Sequence, residues 1–287
     1  MMPKNIGVID LMISFPTSNP KRRYEFLKSQ LRDQESGRME FPAEYMFKEA
    51  EHRLEEGSDP IETTLGEMDR FGIAMGLIGL GAGTSLRAIE KHPDRFAPSI
   101  EIDPNDITAA VRRIRDAYNE HNIKAVTTFP AGCNPQVPVS DRRYYPIYQT
   151  CIDLDIPIVS NAGIAGPRVP SACQDVMHFD QVCYDFPELR IVMRHGAEPW
   201  EELAVKLMLK WPGLYYMTSA FAPKYYPKAI VQYANTRGSD KVMYAGYYPM
   251  GLSLERIFAE LPEVPLRDHV WPKFLRDNAL RVFKLDQ

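Results

Sequence analysis

The 287-residue sequence predicts an α/β fold, a (β/α)8 TIM barrel. Three observations carry that expectation. Short apolar runs alternate with amphipathic stretches along the whole chain. The runs are nearly continuous rather than strictly alternating, as expected for parallel strands buried on both faces. There are eight of them: Ile6–Asp10, Ile73–Ile78, Phe96–Ile102, Ile123–Thr128, Ile156–Asn161, Arg190–His195, Leu214–Thr218 and Lys241–Gly246. Barrels of about 250 residues form single domains, so 1–287 reads as one barrel domain.

After the first strand, the segment 15–63 is too long for one strand-to-helix connection. Tyr24–Leu31 and Ala43–Leu54 read as helical within it, which predicts a helical insertion over the barrel mouth. Past the third strand, Asp103-Pro104-Asn105-Asp106 leads into Ile107, Ala110, Val111, Ile114 and Ala117 at helical spacing. Asn105 or Asp106 is the expected N-cap. Past the sixth strand, Leu203, Ala204, Leu207, Met208 and Trp211 form a second stripe. Glu201 and Glu202 open that helix and Lys206 and Lys210 close it, in the sense that suits the helix dipole. No repeat, low-complexity tract or linker divides the chain.

Lys and Arg number 34 against 38 Asp and Glu, a net charge of −4, with 45% hydrophobic residues. That balance excludes a disordered chain and supplies no electrostatic reason to bind nucleic acid or an anionic membrane. Cys133, Cys151, Cys173 and Cys183 contain no CxxC pair and read as reduced thiols. The first residues lack the apolar core of a signal peptide, and Ile73 to Gly83 is too short and glycine-rich to span a bilayer. A cytoplasmic protein is therefore expected.

The run Phe186-Pro187-Glu188-Leu189-Arg190-Ile191-Val192-Met193-Arg194-His195-Gly196-Ala197-Glu198-Pro199-Trp200 resembles a segment of the amidohydrolase-related superfamily. The similar branch is the one that holds aminocarboxymuconate-semialdehyde decarboxylase and the resorcylate decarboxylases. Met68-Asp69-Arg70-Phe71-Gly72-Ile73, Ile102-Asp103-Pro104, Tyr145-Pro146-Ile147-Tyr148 and Asn278-Ala279-Leu280-Arg281-Val282-Phe283 resemble further family segments in the same order. The resemblance covers nearly the whole chain. It implies a metal-dependent barrel with hydrolases and decarboxylases among its members, some lactonases working without metal. By the same resemblance the metal ligands fall at Met12, Ser14, Asn161, His195 and Tyr247, and only His195 is a histidine as expected.

Ligand chemistry points the same way. A catalytic zinc takes about three ligands from His, Asp, Glu or Cys, and thioether, hydroxyl and amide groups hold a hard cation poorly. The histidines are His52, His92, His121, His178, His195 and His269; only His195 ends a strand, and no HxH or HExxH pair occurs. Neither metal nor cofactor is expected.

In a barrel the chemistry sits at the C-terminal strand ends. His195 is the candidate for proton transfer near neutrality. Gly196 is expected to leave space beside its ring, and Arg194, one residue earlier, to point towards the helices. Asp10 is the second catalytic candidate, orienting His195 or a substrate hydroxyl, or else a structural acceptor below the pocket. Ser14, Asn161 and Tyr247 form a neutral donor set for a carboxylate or oxyanion. Tyr248 shapes the last loop, and Glu101 is a base or an ion-pair partner. Cys133 reads as inert, and Tyr215, Tyr216, Phe221, Tyr225 and Tyr226 as cavity lining, packing or interface. No glycine-rich phosphate loop follows the first strand.

Together these features predict a metal-independent hydrolase or lyase acting on a small carbonyl or carboxylate compound. The reaction would be lactone or C–C hydrolysis or decarboxylation. The alternatives are a non-catalytic barrel that binds a ligand or partner, and a metallohydrolase with atypical ligands. A homodimer is expected.

Overall fold

A computed structural model of the protein describes residues 1–47, 53–81 and 83–286. Eight parallel strands form one curled sheet in sequential order. They are β1 (Val8–Asp10), β2 (Ile73–Gly79), β3 (Phe96–Glu101), β4 (Ala125–Thr128), β5 (Ile158–Asn161), β6 (Ile191–Arg194), β7 (Leu214–Met217) and β8 (Val242–Met243). The helices between and after them are α1 (Pro60–Arg70), α2 (Thr84–Lys91), α3 (Ile107–His121), α4 (Tyr145–Asp153), α5 (His178–Asp185), α6 (Glu201–Lys210), α7 (Lys228–Ala234), α8 (Leu254–Glu260) and α9 (Asn278–Phe283). The architecture is the (β/α)8 barrel.

Each expected strand is present. Most are trimmed by a residue or two, and β8 is cut to two residues. Past Met243 the backbone finds other partners. The Tyr244 N–H donates to the Phe274 carbonyl at 2.8 Å, and the Gly246 N–H to Asp10 Oδ1 at 2.8 Å. The β8–β1 seam is thus joined partly by a side chain, helped by the Ser14 N–H donating to Tyr248 O at 3.0 Å.

Strand alternation sorts two apolar layers. Ile9, Leu77, Ala97, Ala125, Val159, Val192, Met217 and Met243 fill the barrel, and Ala279, Val282 and Phe283 of α9 pack against that filling. Val8, Ile78, Phe96, Ile100, Val126, Ile158, Ile191, Met193, Leu214 and Tyr216 face the helices. In α3 the Asp106 carboxylate caps the Ala109 N–H, while Ala110, Ile114 and Ala117 are buried. In α6 Ala204, Leu207 and Met208 are buried.

The insertion differs from the expectation. In place of Tyr24–Leu31 there is a tighter helical stretch, Pro20–Leu27, and a single turn at Glu44–Met46 stands within Ala43–Leu54. Part of the latter, 48–52, lies outside the described residues. Helix α1 already begins at Pro60, inside the expected insertion, because Asp59 caps the Ile61 N–H and proline suits the first helical turn. The segment is pinned to the barrel by long-range bonds. Gln30 Nε2 donates to Gly132 O at 2.8 Å, Tyr45 OH to Gly166 O at 2.7 Å, and Arg168 Nη1 bridges Asp33 and Glu35 at 2.9 and 2.8 Å.

Candidate functional site

A cavity of about 660 Å3 opens at the C-terminal strand ends. Its barrel-side wall includes Met12, Glu101, Asn161, Arg194, His195 and Tyr247, while Phe26, Leu27, Phe41, Met46 and Phe47 of the insertion form the facing wall. A cavity of this size and apolar character is the usual form of a small-molecule site.

The strands bring three polar side chains together. Asn161 and Arg194 are register partners across β5 and β6. Both sit in the inward phase, two residues beyond Val159 and Val192 of the barrel filling. Arg194 Nε donates to Asn161 Oδ1, and Nη2 stands 3.5 Å from Glu101 Oε2. Arg194 is 8% exposed, so its guanidinium is a buried cation in the cavity wall. Burial lowers its pKa, with Glu101 opposing, but arginine remains protonated. This corrects the expectation that Arg194 points towards the helices.

His195 also reaches the cavity, by a different route. The strand ends at Arg194, and His195, Gly196 and Ala197 follow with φ of 70°, 89° and 61°. That left-handed run breaks the two-residue alternation, so consecutive side chains can share one cavity. Glycine is required at 196: a Cβ there would meet Phe221 Cε2 at 2.4 Å. Phe221 therefore occupies the space expected to be open.

The His195 ring is held on two sides. Ser219 Oγ accepts the His195 backbone N–H at 3.2 Å and lies 3.0 Å from Nδ1. When the serine hydroxyl donates to Nδ1 the ring proton lies on Nε2, and when Nδ1–H donates to the hydroxyl oxygen it lies on Nδ1. Tyr247 packs edge-on against the imidazole, with ring centroids 5.7 Å apart, and stacks on Phe47 of the insertion at 5.5 Å. Burial and then the charge of Arg194 push the His195 pKa down to about 3. The imidazole is neutral throughout the neutral range, against the expectation of a group that titrates there.

Asp10, Ser14 and Tyr248 are not among the cavity's lining residues. Asp10 is wholly buried in the opposite phase from Ile9, and its Oδ1 accepts the Met12 and Gly246 N–H groups at 2.9 and 2.8 Å. Its side chain joins the β8–β1 seam, and its hydrogen bonds go to Met12 and Gly246, not to His195. Ser14 bonds through its backbone, and Tyr248 is buried in the helix-facing layer.

Of the aromatic group, Phe221 and Tyr225 line the cavity. Tyr216 and Tyr226 are in the helix-facing core, and Tyr215 packs under Lys241 and Arg281. Burial pushes the Cys133 thiol up, Asp103 and Glu101 adding to it, which agrees with an inert reading.

Glu198 lines the cavity too, and burial, then Glu201, raises its pKa. Arg194 shares the inward phase of Val192, a phase that the uniformly apolar run does not reveal. Nothing in the sequence pattern singles out Glu198, Ser219 or Phe47.

The amidohydrolase family model matches residues 83–285. The chain belongs to the amidohydrolase family. A curated relative, 2-keto-4-carboxy-3-hexenedioate hydratase of Sphingobium, is 23% identical over 128 residues, 39% of this chain. The chain spans 38% of that relative's length. An uncharacterized TIM-barrel protein from Bordetella bronchiseptica is 22% identical, with 97% of this chain and 98% of that one covered at a TM-score of 0.72. The 5-carboxyvanillate decarboxylase of Novosphingobium aromaticivorans, in complex with manganese, is 16% identical, with 96% of both chains covered at a TM-score of 0.68.

Such a manganese ion does not fit the donors present here. The described residues contain no group of three or more His, Cys, Asp or Glu side chains able to hold a metal. The cavity-wall oxygens Asn161 Oδ1 and Glu101 Oε2 face a guanidinium that already carries positive charge. Met12 offers a thioether, which suits soft ions rather than manganese.

Proposed function

We propose that this amidohydrolase-family chain is a hydrolase or lyase that acts without a divalent metal on a small carbonyl or carboxylate compound. The observation that carries the reading is Arg194 and a neutral His195 side by side in the cavity wall at the strand ends. The relatives named as a hydratase and a decarboxylase support the reaction class.

In this reading Arg194 and the His195 Nε2–H are fixed donors for negative charge that develops on a carbonyl or carboxylate oxygen. Donors of that kind act without reorganising during the reaction. Glu198, with its raised pKa, is the carboxyl that moves a proton. The Phe26, Phe41 and Phe47 wall keeps water from the reacting atoms. The protein works in the cytoplasm as a homodimer and needs no nucleic acid or membrane; no helix among the described residues is long and apolar enough to cross one.

The test is a turnover screen of lactones, β-keto acids and unsaturated carboxylates with elemental analysis of the same preparation. Turnover that survives chelation, with no stoichiometric transition metal, supports the reading. Loss of turnover together with a removable metal overturns metal independence. Ligand binding without turnover across the screen favours the alternative of a non-catalytic barrel, which the neutral state of His195 also allows.

A further inference from the structure

Three arginines, Arg23, Arg194 and Arg256, and two glutamates, Glu101 and Glu198, line the cavity, and the arginines differ in how they are held. Arg256 is engaged with Glu260 at 3.1 Å, and Arg23 donates to the Phe15 carbonyl at 2.8 Å. Arg194 is the buried one, fixed through Nε by Asn161.

Its ionic partner is poorly placed. Glu101 stands 3.5 Å away, well beyond the roughly 2.7–2.9 Å of a good charge-assisted bond, and its side chain is 52% exposed. A half-exposed carboxylate returns to water at little cost, whereas a buried guanidinium has no such exit and gains from a close acceptor.

The geometry points to Arg194 as an anion anchor with Glu101 as its exchangeable internal counter-ion: a ligand carboxylate takes the guanidinium and Glu101 swings to solvent. The inference rests on the proposed reading that this cavity receives the substrate, and it adds the ligand class. One anchored charge, apolar walls at Phe26, Phe129 and Phe221, and a second carboxylate at Glu198 select a monocarboxylate with a flat apolar body. A dianion's second charge would meet those walls or Glu198, or would have to compete with the Phe15 carbonyl and Glu260 for Arg23 and Arg256.

Calorimetric titration of the purified chain with 2-naphthoate, 2-naphthamide and naphthalene-2,6-dicarboxylate tests this. Naphthoate is expected to bind at least about thirtyfold more tightly than the amide, the size of a desolvated charge pair. The dicarboxylate should bind more weakly than naphthoate. Arg194→Met should erase the acid-over-amide preference. Glu101→Gln should tighten naphthoate by about two- to fivefold, the worth of a loose exposed pair. Should Arg194→Met fail to fold by near-UV circular dichroism, Glu101→Gln and the acid–amide comparison decide alone.

Equal binding of acid and amide, no naphthoate binding, weaker binding by Glu101→Gln, or naphthoate binding that appears only with added manganese overturns the anchor. Loss of the anchor in a chain that still turns over a substrate leaves the enzyme reading standing. The anchor holding without turnover anywhere in the screen removes the enzyme reading alone.

Discussion

Asp10 carries a buried charge whose cost can be measured. Both of its backbone donors, Met12 and Gly246, fall on Oδ1, while Oδ2 and the nearby Tyr244 hydroxyl have no hydrogen-bond partner. Gly246 leaves no spare room, since a Cβ there would lie 2.5 Å from Oδ2. Burial raises the Asp10 pKa to about 6, against the opposing pull of the Gly246 and Met12 N–H groups. The rise from 3.8 is about two units, which corresponds to about 3 kcal/mol at roughly 1.4 kcal/mol per unit. Because the folded-state pKa is the higher one, the protonated acid favours folding. Its contribution is complete below the unfolded value and is lost as pH rises towards about 6.

Asp10→Asn keeps an Oδ1 for both N–H donors and puts an amide donor towards the unpartnered tyrosine oxygens. In urea unfolding across the acid-to-neutral range, the variant should match the parent near about pH 4 and then pull ahead. The gap should level off at up to about 3 kcal/mol above about pH 6. A gap independent of pH, or a variant less stable than the parent above neutrality, would refute both the burial argument and the seam geometry.

Other consequences can be checked separately. His195→Asn removes a neutral donor and should lower turnover by about 10²–10³-fold with the fold intact. The parent's pH–rate profile should show no limb near about 6.5 from this residue, because its pKa is about 3. Elemental analysis of protein purified without added metal should find less than one transition metal per chain. Phe47→Ala removes the ring stacked on Tyr247 and should raise KM by up to about tenfold with little change in kcat, the worth of one aromatic pair. Arg168→Ala cuts the tie to Asp33 and Glu35, so limited proteolysis between residues 20 and 47 should quicken while the melting temperature stays essentially unchanged.

The barrel was readable because a parallel strand buried on both faces writes itself as a short apolar run, and each such run holds a strand. The same property hid the site. Ile191-Val192-Met193 is apolar at every position, so nothing in it says which side faces inward. Phase had to be counted back from His195, and that counts Arg194 outward. Positive φ at His195 ends the alternation one residue earlier, a backbone feature without a side-chain signature. The insertion was obscure for a related reason. Its turns are held by single long-range bonds, such as Gln30 to Gly132, rather than by a periodic apolar face.

In the proposed metal-independent reading, Arg194 bears on both the missing ion and the neutral imidazole. A fixed guanidinium in the cavity wall raises the energy of any second cation placed beside it. That applies to a divalent ion near Asn161 and Glu101, and equally to a protonated His195, whose pKa its charge depresses. Met12 and Asn161, where the family resemblance places histidines, therefore need not be read as decay. Once an arginine stands in that register position, acidic and imidazole ligands lose the ion they would serve. A neutral amide that accepts from the guanidinium becomes the fitting partner. In the proposed reading the neutral imidazole donates a hydrogen bond rather than exchanging a proton, and the acid–base work falls to a carboxyl such as Glu198, whose pKa burial raises.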